Sequence, residues 1–107
     1  MEIENIWENI FQEHEWGKYP AIPFVRFVAK NFYNVPDRSK IKFFELGCGP
    51  GANIWYLAKE GFSVSCIDLS KSAINRLKKR LQEENCLQYL EIAEIGDYRE
   101  KIVKFPN

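Results

Sequence analysis

The chain has 107 residues, of which 46% are hydrophobic, 15% aromatic and 28% charged, a make-up that supports one compact domain and excludes a disordered or low-complexity segment. Fifteen Lys and Arg balance fifteen Asp and Glu, so no bulk field draws it to nucleic acid or an anionic membrane. No run approaches the roughly 18 apolar residues of a membrane span, and the opening Met-Glu-Ile-Glu lacks the basic and apolar parts of a secretory signal, which predicts a cytoplasmic protein without a membrane partner.

Ile3, Ile6, Trp7, Ile10 and Phe11 recur at intervals of three and four among acidic residues, the pattern of one apolar helix face over 3–14. Gly17 and Pro20 break that period. Pro23 suits an early helical position, and Phe24, Val25, Phe27, Val28, Phe32 and Tyr33 predict a second helix over 22–33. After a polar turn at 34–38, Ile41 to Leu46 reads as a short, buried parallel strand bounded by glycine.

The chain then alternates. Ile54, Leu57 and Ala58 share a face of a helix over 53–60 that Gly61 ends, and Phe62 to Ile67 reads as a second strand. Ser70 is placed to cap the next helix, with Ala73, Ile74, Leu77 and Leu81 inward. Its Lys71, Arg76, Lys78, Lys79 and Arg80 read as a solvated face, since the whole chain is neutral, and nucleic acid is not an expected partner. Leu87 to Ile95 supplies a third strand, and Gly96-Asp97-Tyr98 turns off its end.

Strand, helix, strand, helix, strand is the first half of a doubly wound, Rossmann-like α/β fold, with right-handed crossovers giving a parallel sheet of order 3-2-1 preceded by two helices. The expected organisation is a single, incomplete domain over 1–107. A helical amino-terminal extension occupies 1–38, and a βαβαβ half occupies 39–107. With only three strands, Ile41 to Leu46 is an unprotected edge, which predicts self-association through that strand. Cys48, Cys66 and Cys86 show no C-x-x-C pair and no histidine-rich neighbourhood, so they read as reduced thiols, and no metal is expected. Cys66 reads as a core residue and Cys86 as lying past a helix end.

The informative stretch is Glu45-Leu-Gly-Cys-Gly-Pro-Gly51, where a strand runs through a glycine-rich loop into a helix. Glycines admit positive φ and let a ligand sit against backbone, while the helix directs free N–H groups at the loop. Such sites lie at the carboxyl ends of the strands, which singles out Asp68 and Asp97 on the next two. A P-loop is excluded, because no Gly-Lys-Ser or Gly-Lys-Thr occurs. A dinucleotide site survives on spacing alone: Gly47, Gly49 and Ala52 satisfy G-x-G-x-x-[GA], and Asp68 falls about twenty residues on, where an acid that binds ribose belongs.

The loop, followed by Val64-Ser-Cys-Ile-Asp-Leu-Ser70 and Gly96-Asp97-Tyr98, resembles the class I S-adenosylmethionine-dependent methyltransferases over roughly 40–100. A carboxylate at Glu45 also suits a ligand carrying an ammonium and a sulfonium better than one carrying a pyrophosphate. The resemblance implies that Gly47, Cys48, Gly49 and Gly51 wall the methionine part of S-adenosyl-L-methionine, with Glu45 near its amino group. It implies that Asp68 accepts from the ribose hydroxyls, that Leu69 and Ser70 flank the adenine, that Asp97 accepts from its exocyclic amine and that Tyr98 lines the base pocket. Asp68 as a helix cap, Asp97 as a turn former and Glu45 as a strand-end carboxylate are the structural alternatives.

Methyl transfer from a sulfonium is an in-line displacement that positioning and a matched electrostatic environment promote, so the motif names no catalytic base. His14, Trp16 and Tyr19 read as core packing rather than catalytic groups. The acceptor, expected to be a small molecule, is not encoded before the chain ends. The function read from the sequence is therefore the cofactor-binding half of a methyltransferase, binding weakly and turning over little. A non-catalytic interaction module is the reading from a different class, and an NAD(P)-binding domain the third.

Overall fold

A computed structural model describes residues 19–97 and Arg99. The expected helix over 3–14, His14, Trp16 and Tyr98 lie outside these residues. In chain order the elements are α1 (Ile22–Phe32), β1 (Lys42–Leu46), α2 (Ala52–Lys59), β2 (Ser63–Asp68), α3 (Lys71–Glu83) and β3 (Leu90–Ile95), with single 3-10 turns before β1 and β3. The strands form one parallel sheet with β2 in the middle, which is the expected order. The third strand begins three residues later than expected, because Leu87–Tyr89 is a 3-10 turn.

Local chemistry sets the element ends. Pro23 lies in the first turn of α1, where no intrahelical N–H is missed. Ser70 caps α3 by accepting from the Ala73 N–H at 3.1 Å. Asn85 ends that helix with φ of 59°, and Cys86 folds back into the core behind it. The buried face of α3 is Ala73, Ile74, Leu77 and Leu81, as its period predicts.

In a sheet wound in one direction, right-handed crossovers place both connecting helices on the same face. Accordingly, α2 and α3 pack on each other and on β2. Ile54, Leu57, Val64, Cys66, Ile74, Leu77 and Leu81 form the core there. Helix α1 closes the end of this layer: Val28 is fully buried, and Phe32, Phe43 and Phe62 meet edge to face with centroids 5.3–6.4 Å apart. Each such pair adds about 1 kcal/mol beyond its burial. Arg38 locks the corner. Its guanidinium lies over the Tyr33 ring at 4.5 Å and donates to Glu60 Oε1 at 3.0 Å, to the Glu60 carbonyl at 3.1 Å and to the Tyr33 carbonyl at 3.1 Å.

The expectation of a buried first strand needs correction. Along β1, Phe43 and Glu45 turn toward the helices, while Phe44 and Leu46 on the other face are 38% and 45% exposed. Its apolar run is that of an inner strand, but β1 pairs only with β2 among the described residues.

Candidate functional site

The carboxyl ends of all three strands converge, and β2 ties them together. The Gly47 N–H donates to the Ile67 carbonyl at 2.7 Å and the Gly96 N–H to the Asp68 carbonyl at 2.9 Å. Between them lies an open depression of about 250 Å³ lined by Leu46, Gly47, Ile67, Asp68, Leu69 and Gly96. Leu69, 74% exposed, offers an apolar surface at its rim.

The glycine loop is held from both sides. A turn closes from the Gly51 N–H to the Cys48 carbonyl at 2.9 Å, and α2 starts directly after it with no side chain capping its first turn. Two of the loop glycines have unlike surroundings from the third. A β-carbon at Gly47 or Gly49 would meet nothing within 4 Å, whereas one at Gly51 would come 2.7 Å from Leu77 Cδ1. Gly51 therefore serves packing, and Gly47 and Gly49 keep a backbone surface bare.

Asp68 is both a loop anchor and a turn former. Its Oδ2 accepts from the Gly49 N–H at 3.0 Å and its Oδ1 from the Ser70 N–H at 2.8 Å. Each oxygen retains a lone pair, so the carboxylate can still accept from hydroxyl groups. Glu45 lies at the end of β1. Its Oε2 accepts from Asn53 Nδ2 at 2.9 Å, while Oε1 is buried with no hydrogen-bond partner. Burial pushes the Glu45 carboxyl above its usual range; the Asn53 bond pulls it back, and the charge on Asp68 adds to the rise.

Other expected site residues engage their side chains locally. Cys48 is 5% exposed and turned under the loop beside Cys66, so only its backbone faces outward; its hydrogen bond and burial hold the Cys66 thiol protonated. Ser70 spends its hydroxyl on α3. Asp97 follows Gly96 at the mouth, but its carboxylate accepts from the backbone N–H, Nε and Nη2 of Arg99 at 2.6–3.1 Å. Those bonds hold its pKa below the ordinary carboxylate value. Tyr19 packs edge-on against Trp55, 6.0 Å between centroids, which agrees with a packing role. Sequence reasoning missed Asn53, although its place two residues past the last loop glycine was a usable signal. Among the described residues no group of three or more His, Cys, Asp or Glu could hold a metal, and no helix is long and apolar enough to cross a membrane.

The "methyltransferase domain" family model matches residues 43–105. No sequence among the curated proteins matches the chain. Among solved structures, the chain is similar to the O-methyltransferase TomG from Streptomyces achromogenes, which was determined with S-adenosylmethionine. That similarity has 14% identity and a TM-score of 0.64, and covers 100% of this chain and 48% of the other. A methyltransferase from Geobacter sulfurreducens gives 16% identity and a TM-score of 0.59, covering 89% and 49%. The glycopeptide N-methyltransferase MtfA, in complex with sinefungin, gives 22% identity and a TM-score of 0.54, covering 78% and 32%. The chain thus spans less than half the length of each.

Proposed function

The chain belongs to the methyltransferase domain family, and from that premise we propose that its three strand ends form the cofactor half of an S-adenosylmethionine-dependent methyltransferase. The observation that carries this reading is the pair of nearby carboxylates at the glycine loop, one of them with a buried oxygen lacking any donor. Two such charges attract an ammonium and a sulfonium and repel a pyrophosphate, which disfavours the dinucleotide alternative.

Under this reading Gly47, the Cys48 backbone and Gly49 wall the methionine portion, because nothing fills the space where their β-carbons would stand at the two glycines. Glu45 takes the ammonium and Asp68 the ribose hydroxyls. Leu69 covers one side of the base, and Ser70 supports that wall by starting α3. Asp97 reaches the exocyclic amine only by giving up bonds to Arg99, and Tyr98 completes the base pocket. The bound cofactor supplies a methyl group on a sulfonium, ready for displacement by a small-molecule acceptor. What these residues contribute is orientation and charge, with no proton transfer required of them. Residues 1–38 act as an amino-terminal extension of a single domain that continues in the longer relatives, and the cytoplasm is its proposed location.

Amide shifts in a millimolar titration test the reading. S-adenosylmethionine and S-adenosylhomocysteine are expected to move Gly47, Gly49, Leu69 and Gly96, and NAD is expected to leave them in place. A response to NAD alone would sink the proposal.

Among the described residues β1 pairs on one side only, with Phe44 and Leu46 exposed, which supports self-association as a second property. Size-exclusion chromatography with light scattering is expected to show concentration-dependent dimers, reduced when Phe44→Lys places a charge on that strand. A monomer at every concentration tested would remove this proposal.

A further inference from the structure

Asn53 lies in the first turn of α2, and its amide donates a hydrogen bond to Glu45. The 2.9 Å bond joins the end of β1 to the start of α2 across the glycine loop. It engages Oε2 only, so the two carboxylate oxygens become inequivalent and Oε1 is the buried acceptor left over. We propose that Asn53 is a positioning residue of the cofactor site, fixing the Glu45 carboxylate so that its charge stands behind the glycine loop and attracts the cofactor's ammonium. This rests on the methyltransferase reading above and adds to it a residue whose sequence position carried no assigned role.

The surroundings of Glu45 give Asn53 this importance. Cys66 is paired opposite it in register on β2, Cys48 lies in the loop, and Asp68 stands at the end of β2. These groups are neutral or negative. Among the described residues the Asn53 bond favours ionisation of Glu45, against burial and Asp68. An unionised Glu45 offers no charge to an ammonium, so cofactor affinity falls as pH drops through the carboxyl's raised pKa. Losing Asn53 moves that fall to higher pH.

The test follows the Glu45 side-chain carbon by NMR and cofactor affinity by titration, each across pH. In Asn53→Ala the Glu45 midpoint is expected to rise by about one unit, the size of one hydrogen bond to a charged group, and affinity to fall about fivefold at the parent's midpoint and about tenfold well below it. The double exchange Glu45→Gln with Asn53→Asp keeps a bond of the same geometry but moves the charge. It is expected to preserve thermal stability and leave affinity low, which a merely structural role for the bond would not produce. A parent that binds, with an Asn53→Ala variant that binds equally and titrates identically, would overturn this inference alone. A parent with no response to the cofactor at any pH would overturn the functional reading and the inference's ammonium attraction with it. The Glu45 midpoint would still report whether Asn53 holds the carboxylate.

Discussion

Gly51→Ala is expected to lower the unfolding free energy by about 3 kcal/mol. The residue has φ of +83°, and its missing β-carbon would stand 2.7 Å from Leu77 Cδ1. A left-handed backbone costs roughly 1–2 kcal/mol for a residue with a side chain, and forcing an extra carbon into a packed core adds roughly 1–3 kcal/mol. Leu77 has little freedom to yield, because it is 1% exposed between α2 and the sheet. Denaturant unfolding measures the loss, and Gly49→Ala is the comparison. That position is also left-handed, at φ +53°, but nothing lies within 4 Å of the added carbon, so only the backbone cost applies. Combining Gly51→Ala with Leu77→Ala should cost less than the sum of the two, as the shortened side chain makes room. Equal stability of Gly51→Ala and the parent would refute the packing assignment.

Asp68→Ala is expected to weaken cofactor binding roughly a hundredfold while destabilising the fold by only about 2 kcal/mol. The carboxylate makes two charge-assisted bonds, to the Gly49 and Ser70 N–H groups, each worth about 1.5–3 kcal/mol. Water replaces part of that in the free chain, since the residue is partly exposed. In the bound state the variant also lacks an acceptor for the ribose hydroxyls, so the two losses differ. Asp68→Asn separates the roles further. Its amide can satisfy one N–H with its oxygen but presents a donor to the other, so the loop is displaced without loss of volume. Titration and denaturant unfolding of both variants decide the matter, and Asp68→Ala binding within threefold of the parent would remove Asp68 from the site.

The ranges of the described helices and the face of α3 could be read from the sequence because they follow from local spacing, and the sheet order because crossovers are right-handed. Ala73, Ile74, Leu77 and Leu81 recur with the period of a helix, and burial obeyed it. Glu45 and Asp68 were visible for a related reason: strand ends in this architecture have a fixed place, so a carboxylate there is already located. Burial of β1 was misread because an apolar run reports the environment a strand is suited to, not the neighbours it has. Arg38 and Asn53 were missed because their partners are on other elements, 22 and 8 residues away, and such pairings leave no period in the sequence. The partner of Asp97 also went unread: Arg99 stands two residues on, and its guanidinium pairs with the carboxylate at 2.6 Å.

The end of β2 has a consequence for the energetics of binding. Gly47 and Gly49 lie in the loop after β1 and Gly96 follows β3, yet each donates its N–H to Ile67 or Asp68. Their amides should exchange with solvent slowly and together, although all three are glycines in loops. A ligand arriving there meets a backbone already ordered by a shared post and forfeits little loop entropy on docking. Most of that ordering cost was met when the sheet formed.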